Sequence, residues 1–182
     1  MSINITYFVH GTTFDNEEKK ASGWISGELS PKGIMQTNNL KEIIKDNNFD
    51  IVFCSDLNRA TQSADILFKG KKEIIQDSRI RECNYGDLNG KSNSEVIYEN
   101  HINTPFPNGE SMLDVELRIK SFLTYLLKSY NNKNIAIVAH KAPQLAIEVL
   151  LNNKTWEQAI KEDWRKTKSW QPGWNYTLNN LK

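Results

Sequence analysis

The 182-residue chain is long enough for a single domain that buries a sizeable hydrophobic core. It carries 23 basic and 22 acidic residues, a formal net charge of +1, and 38% of its residues are hydrophobic. This composition excludes a disordered chain and gives no reason to expect nucleic acid or an anionic membrane as a partner. No signal peptide or long apolar run is evident, and the two cysteines are too few for a disulfide framework, so we expect a cytoplasmic location.

Short segments rich in β-branched residues predict strands at residues 3–9, 51–54 and 135–139, with an edge-like strand at 74–75. Segments with helical spacing lie between them. The first begins at Ser30-Pro31, an N-cap followed by proline, and others begin near Leu57, Met112 and Leu145. This alternation predicts an α/β fold with a mainly parallel sheet flanked by helices.

Two segments depart from the alternation. Residues 81–108 are rich in Asn, Gly and Pro and predict an extended loop or lid of the kind that is often functional. Residues 151–182 are aromatic and basic, and we interpret them as a cap on a single domain that spans residues 1–182. Alternatively, this segment forms a wall of the substrate site, with Arg165 and Lys168 reaching a phosphate. Its composition also suits single-stranded nucleic acid, against which the balanced charge argues.

Polar residues follow three of the predicted strands, where ligands bind in an open parallel sheet. His10 and Gly11 follow the first strand, Arg59 lies one turn into the helix after the second, and His140 follows the last. Glu82 begins the predicted loop. We therefore expect these side chains to gather at one edge of the sheet.

These residue types suit phosphoryl transfer. A neutral imidazole such as His10 is a competent nucleophile, and the guanidinium of Arg59 can bind two phosphoryl oxygens. His140 adds a donor when protonated, and Glu82 can serve as acid and base. Helix N-termini after both histidines would add backbone N–H donors. A zinc site made of His10, His140, Cys54 and Cys83 is the competing interpretation.

Several motifs in chain order resemble those of the histidine phosphatase superfamily, also called phosphoglycerate mutase-like. The matching blocks are Val9-His10-Gly11-Thr12-Thr13 with Asn16, Leu29-Ser30-Pro31-Lys32-Gly33 with Gln36, Ser55-Asp56-Leu57-Asn58-Arg59-Ala60, Arg81-Glu82 with Tyr85-Gly86, Asn108-Gly109-Glu110-Ser111, and Val138-Ala139-His140. The resemblance covers residues 4–150 and implies a three-layer α/β/α sandwich.

The resemblance also implies roles. His10 would carry the phosphoryl group and Glu82 would be the acid/base. The remaining predicted site residues are the phosphate and substrate ligands Arg59, His140, Gly11, Asn16, Ser22 and Gly23. No metal or cofactor is expected, because the histidines are already used as nucleophile and phosphate ligand.

Two positions depart from the family pattern. Val9 stands where the family has an arginine before the nucleophile, and Lys141 stands where it has a glycine after the second histidine. Losing one charged phosphate ligand weakens transition-state stabilisation. Our hypothesis is that Lys141 or Arg165 supplies the missing charge, although Lys141 can equally be a solvated residue at a helix start.

The favoured function is a metal-independent phosphatase acting on a small phosphomonoester. The first alternative is a phosphoglycerate mutase, which in this superfamily has a longer insert with an arginine pair between the glutamate and the second histidine. Here Arg118 is the only arginine between Glu82 and His140. The second alternative is a non-catalytic member that binds a phosphorylated ligand. The sequence leaves the leaving group and the oligomeric state open.

Overall fold

The structure is a computed structural model that describes residues 2–181. A five-stranded sheet in the order β3-β2-β4-β1-β5 forms its centre. Its strands are β1 (Ile3–Val9), β2 (Ile51–Cys54), β3 (Ile74–Gln76), β4 (Asn134–Ala139) and β5 (Trp174–Leu178). The strands β1 to β4 run parallel to one another, whereas β5 pairs antiparallel with β1. The predicted α/β class with a mainly parallel sheet is confirmed.

Helices connect the strands and cover both faces of the sheet. They are α1 (Phe14–Glu17), α2 (Pro31–Ile43), α3 (Asn58–Phe68), α4 (Met112–Ser129), α5 (Lys141–Asn152), α6 (Trp156–Lys161) and α7 (Trp164–Thr167). Ser30 caps α2 through its side chain, which accepts from the Gly33 amide, and proline occupies the first turn as predicted. None of the described helices is both long and apolar enough to cross a membrane.

The hydrophobic core divides into two layers, one on each face of the sheet. On one face α4, α5 and α6 pack through residues such as Ile119, Phe122 and Ile147. On the other, α2 and α3 pack over a smaller cluster that includes Phe8 and Phe68. Because successive side chains of a strand point to opposite faces, β1 contributes Tyr7 to the first layer and Phe8 to the second.

Between β3 and α4 the predicted loop is a chain of short 3₁₀ turns. They span Ser78–Ile80, Gly86–Leu88, Asn93–Glu95 and Tyr98–His101. The edge-like strand predicted at residues 74–75 is indeed the sheet edge, β3. The strand β5 was not predicted. It lies within the C-terminal segment 151–182, which also contains α6 and α7 and contributes the fifth strand of the sheet.

Candidate active site

His10 follows the carboxyl end of β1, where the chain turns against the start of α2. A Cβ on Gly11 would lie 2.6 Å from the Gly33 carbonyl oxygen, and one on Gly33 would lie 1.9 Å from that of Thr12. Glycine at both positions therefore permits this close approach. The Nδ1 atom of His10 lies 2.7 Å from the Gly11 carbonyl oxygen. With Nδ1–H donating there, Nε2 carries the lone pair.

Burial and the charge of Arg59 lower the pKa of His10 to about 3, against the opposing hydrogen bond to Gly11. The imidazole is therefore neutral at physiological pH. A neutral ring whose Nδ1–H is tied to the backbone presents Nε2 as a nucleophile.

His140 follows β4 and occupies the N-cap position of α5. Its backbone is fixed by Tyr7, whose hydroxyl donates to the His140 carbonyl oxygen at 2.7 Å and accepts from its amide at 3.0 Å. The ring lies 5.1 Å from that of His10, centroid to centroid. Both ring nitrogens are buried without a hydrogen-bond partner among the described residues. Burial and the nearby Arg59 hold the pKa of His140 well below its usual value, so the ligand-free ring is neutral.

Arg59 lies in the first turn of α3 and its side chain is buried. Its Nη2 donates to the Gly23 carbonyl oxygen at 2.7 Å and its Nη1 to that of Ile25 at 3.1 Å. Gly23 has a φ of +51°, and a Cβ there would meet the Asn89 side chain. These bonds fix the guanidinium and leave other N–H donors for an oxyanion.

Glu82 is buried, and its carboxylate lies at the N-terminus of α5. Its Oε1 accepts from the amides of Cys83 and Ala142, each at 2.9 Å, and its Oε2 accepts from the Lys141 amide at 3.2 Å. The Tyr98 hydroxyl lies 3.5 Å from Oε1. The first-turn amides of α5 thus hold this carboxylate, which is where the structure departs from the expectation that they would bind the phosphoryl group. After His10 the expected helix is only the four-residue α1, which begins at Phe14.

A cavity of about 780 Å³ opens beside these groups. All but one of the site residues predicted from the sequence line this cavity: His10, Arg59, Glu82, Gly11, Asn16, Ser22, Gly23, Lys141 and Arg165. The exception is His140, which is fully buried and whose ring contacts that of His10. Ser22 donates to Asp15 at 2.6 Å, and the Asn16 side chain caps α1. Lys168, named with Arg165 in the alternative for the C-terminal segment, is exposed and does not line this cavity.

The two cationic candidates converge on a carboxylate that sequence reasoning missed. Asp163 is buried, with Arg165 Nη1 at 2.8 Å and Lys141 Nζ at 3.4 Å from its oxygens. Burial raises the pKa of Asp163, but Arg165 and Lys141 outweigh it and hold the pKa below its usual value. The sequence signal that could have indicated Asp163 is a local one, because Asp163 is the N-cap of α7. Tyr98, by contrast, carries no sequence signal that relates it to Glu82.

The cysteines lie on opposite faces of the sheet. Cys54 packs in the layer beneath α2 and α3, and Cys83 packs in the layer beneath α4 and α5. Burial raises the pKa of the Cys54 thiol to about 12. Residues 2–181 contain no cluster of three or more His, Cys, Asp or Glu able to hold a metal ion. The four residues of the zinc interpretation are therefore not brought together as a ligand set.

Comparison with known proteins identifies relatives of this arrangement. The model of the histidine phosphatase superfamily (branch 1) matches residues 7–174. A 2,3-bisphosphoglycerate-dependent phosphoglycerate mutase of Allorhizobium ampelinum is 27% identical, over 83% of this chain and 80% of the mutase. An uncharacterized phosphatase of Bacillus subtilis, PhoE, is 32% identical, over 78% of this chain and 72% of PhoE.

Among solved structures, a mutant phosphoserine phosphatase of Entamoeba histolytica in complex with phosphoserine superposes with a TM-score of 0.76 at 27% identity. The match covers 87% of this chain and 84% of that enzyme. The same enzyme has been solved in complex with 3-phosphoglyceric acid. Phosphatases and a mutase are thus both among the similar proteins.

Proposed function

Because the chain belongs to the histidine phosphatase superfamily, we propose that it hydrolyses a small phosphomonoester through a phosphohistidine on His10. The observation that carries this proposal is the state of His10. Its pKa is lowered to about 3 and its Nδ1 is bonded to Gly11, so Nε2 is an unprotonated nucleophile beside a cavity lined by Arg59 and Glu82.

The reaction has two steps. His10 Nε2 attacks phosphorus, the bond to the leaving oxygen breaks, and Glu82, which enters this step in its acid form, gives that oxygen a proton. Water then attacks the phosphohistidine, its proton goes to Glu82, and the P–N bond breaks to release inorganic phosphate and free His10. Arg59 and His140 donate to the phosphoryl oxygens throughout, so that no metal ion is needed to offset their charge.

The environment of Arg118 favours hydrolysis over mutase chemistry. Its guanidinium is fully engaged with the carbonyl oxygens of residues 79, 81 and 82 and with the Glu110 carboxylate, at 2.7 to 3.1 Å. It is therefore not available to hold a substrate carboxylate, the role that arginines in the mutase insert would have. Water is the acceptor that this site suits.

The cavity and the relatives support a small phosphorylated metabolite as the substrate. A volume of about 780 Å³ accommodates a phosphorylated metabolite of moderate size. Phosphoserine and 3-phosphoglyceric acid, both bound by the Entamoeba enzyme, are the first compounds to test. Two buried free thiols, Cys54 and Cys83, support the expected cytoplasmic setting.

The test is phosphate release from an aryl phosphate and from a panel of phosphometabolites, in EDTA, with mass-spectrometric trapping of a phosphoenzyme. His10→Ala is compared with His101→Ala, a matched control. His101 stacks on Phe106 and its Nδ1 lies 3.1 Å from the Thr104 carbonyl oxygen.

We expect metal-independent turnover and phosphate on His10, both lost in His10→Ala and both kept in His101→Ala. Turnover that depends on added metal would contradict the mechanism. Absence of turnover and of phosphohistidine with every substrate would favour the non-catalytic, phospholigand-binding alternative.

A further inference from the structure

Arg165 has a buried nitrogen that no described residue satisfies. Its Nη2 has no hydrogen-bond partner in residues 2–181, although Nη1 and the backbone amide both contact Asp163 Oδ1, at 2.8 and 3.1 Å. The guanidinium also lies over the Trp164 ring, with Cζ 4.3 Å from the centroid. Burying an unsatisfied donor is unfavourable, so a partner from outside the chain is expected.

The open nitrogen belongs to the same cavity as the nucleophile. Arg165 and His10 both line it, and the charge of Arg165 contributes to lowering the pKa of both His10 and His140. Both nitrogens of the His140 ring are unsatisfied as well. An unpartnered guanidinium N–H on a residue that lines the cavity, with the unpartnered ring of His140 in contact with His10, fits an oxyanion held beside His10.

Val9 offers no side-chain hydrogen-bond donor to the cavity. Val9 and Tyr7 point to the same face of the sheet, since they are two residues apart on β1. Val9 and Arg165 both line the cavity. A guanidinium that enters from α7 can therefore occupy the region that a longer, charged residue at position 9 would reach.

We propose that Arg165 is a second guanidinium ligand of the phosphoryl group, held in place by Asp163 and Trp164. This inference rests on the proposed function for the identity of the anion. Lys141 does not bind the phosphoryl group in this proposal. Its Nζ lies 4.4 Å from the Tyr98 ring centroid and 3.4 Å from Asp163, so it neutralises the carboxylate that orients Arg165 and is a positioning residue.

The experiment measures inorganic phosphate binding by calorimetry and kcat/KM with an aryl phosphate, on the whole chain. Arg165→Gln removes the charge, Arg165→Lys keeps it without the planar fork, and Val9→Arg is added to Arg165→Gln as a rescue. The control is Lys166→Gln, because Lys166 lies on the same helix but pairs with Glu99 at 2.8 Å. Thermal unfolding confirms that each variant is folded.

We expect Arg165→Gln to weaken phosphate binding about ten- to hundred-fold, the loss of one charge-assisted contact. Arg165→Lys should recover part of that loss, Val9→Arg with Arg165→Gln should recover more, and Lys166→Gln should resemble the wild type. If Arg165→Gln does not fold, Arg165→Lys carries the test, with an intermediate loss expected.

Failure of this inference can be distinguished from failure of the proposed function. Phosphate binding that depends on Arg165 in a chain without turnover would support the ligand and contradict the phosphatase. Turnover in the wild type with unchanged phosphate affinity in Arg165→Gln and Arg165→Lys would overturn the ligand and leave the phosphatase. A double variant that binds no better than Arg165→Gln would overturn the placement of Arg165 beside Val9.

Discussion

His140 is held in its uncharged form by the protein around it. The ring is fully buried, its nitrogens lack partners among residues 2–181, and its pKa lies well below the usual value. The pKa of His10 is likewise lowered, to about 3. When the chain unfolds, both rings return to a pKa of about 6.5 and bind a proton at lower pH than that. The buried pair therefore links stability to pH.

We expect the free energy of unfolding to fall as the pH drops below about 6.5, because the unfolded state then binds protons that the folded state excludes. Between pH 7 and pH 5 the loss is about 2 kcal/mol per buried histidine. Urea unfolding at both pH values measures it. His140→Asn should show a smaller difference between the two pH values than the wild type, and an identical difference would contradict this account.

At the scale of elements, the site depends on how the loop after β3 is held against α4 and α5. Arg118 of α4 donates to the carbonyl oxygens of Arg79 and Arg81 at 2.7 Å, and to that of Glu82 at 3.0 Å. The first turn of α5 then receives the Glu82 carboxylate. Two helices thus position one carboxylate.

Arg118→Met should lower kcat at least ten-fold while changing phosphate affinity little, because Arg118 orients Glu82 and does not line the cavity. Breaking its largely buried ion pair with Glu110 should also cost about 3 kcal/mol of stability. Steady-state kinetics, phosphate calorimetry and urea unfolding give the three values.

The matched control for this prediction is Arg79→Met. Arg79 pairs with Asp77 and lies over the Tyr125 ring, 4.9 Å from its centroid, on the same side of the fold. It should keep the wild-type kcat. Equal losses of kcat and of phosphate affinity in Arg118→Met would show a general loss of structure and not a positioning role.

The sequence predicted the elements that carry strong local signals. β2 and β4 are almost continuous apolar runs, β1 is rich in β-branched and aromatic residues, and the Ser30-Pro31 start of α2 is a local capping signal. β5 was missed although its burial alternates, with Tyr176 and Leu178 buried and Asn175 and Thr177 exposed. This two-residue period extends over only five residues and lies among aromatic and basic residues, so it is a weak strand signal in the sequence.

The same distinction between strong local signals and missing ones applies to the residues of the site. His10, Arg59 and His140 could be brought to one edge from the sequence because each follows the end of a strand, and the topology of parallel sheets then fixes where they meet. The contacts of Glu82 with Ala142 and of Asp163 with Lys141 could not, because each joins segments that are far apart in the chain. Glu82 and Ala142 are separated by 60 residues.

Across the whole molecule, the cavity extends well beyond the reacting groups. It runs from His10 to residues of α2 such as Leu40 and Ile43 and to the Trp170–Pro172 stretch before β5. Trp170 lines it and is half exposed, at 55%. This outer part of the lining combines apolar and aromatic side chains with the amides of Asn39 and Gln171, so we expect it to receive the leaving group of a substrate and not its phosphate.

Trp170→Ala should raise KM for a naphthyl phosphate about ten-fold, the cost of removing one aromatic contact, and leave KM for phosphoserine nearly unchanged. Parallel kinetics on the two substrates test this, with phosphoserine as the internal control because its leaving group has no aromatic ring to contact Trp170. An equal rise for both substrates would contradict the assignment of the outer cavity to the leaving group.

The strand β1, which ends directly before His10, pairs with strands that come much later in the chain. β1 lies between β4 and β5, and its side chains bond to residues 130 and 169 positions away, Asn4 to Asn134 and Thr6 to Asn175. Because synthesis runs from the N-terminus towards the C-terminus, β1 is made well before β4 and β5, the strands that pair with it, and it finds its place in the sheet only after β4 has been made. A nascent chain interrupted before β4 therefore cannot form the edge of the sheet at which His10 and His140 meet.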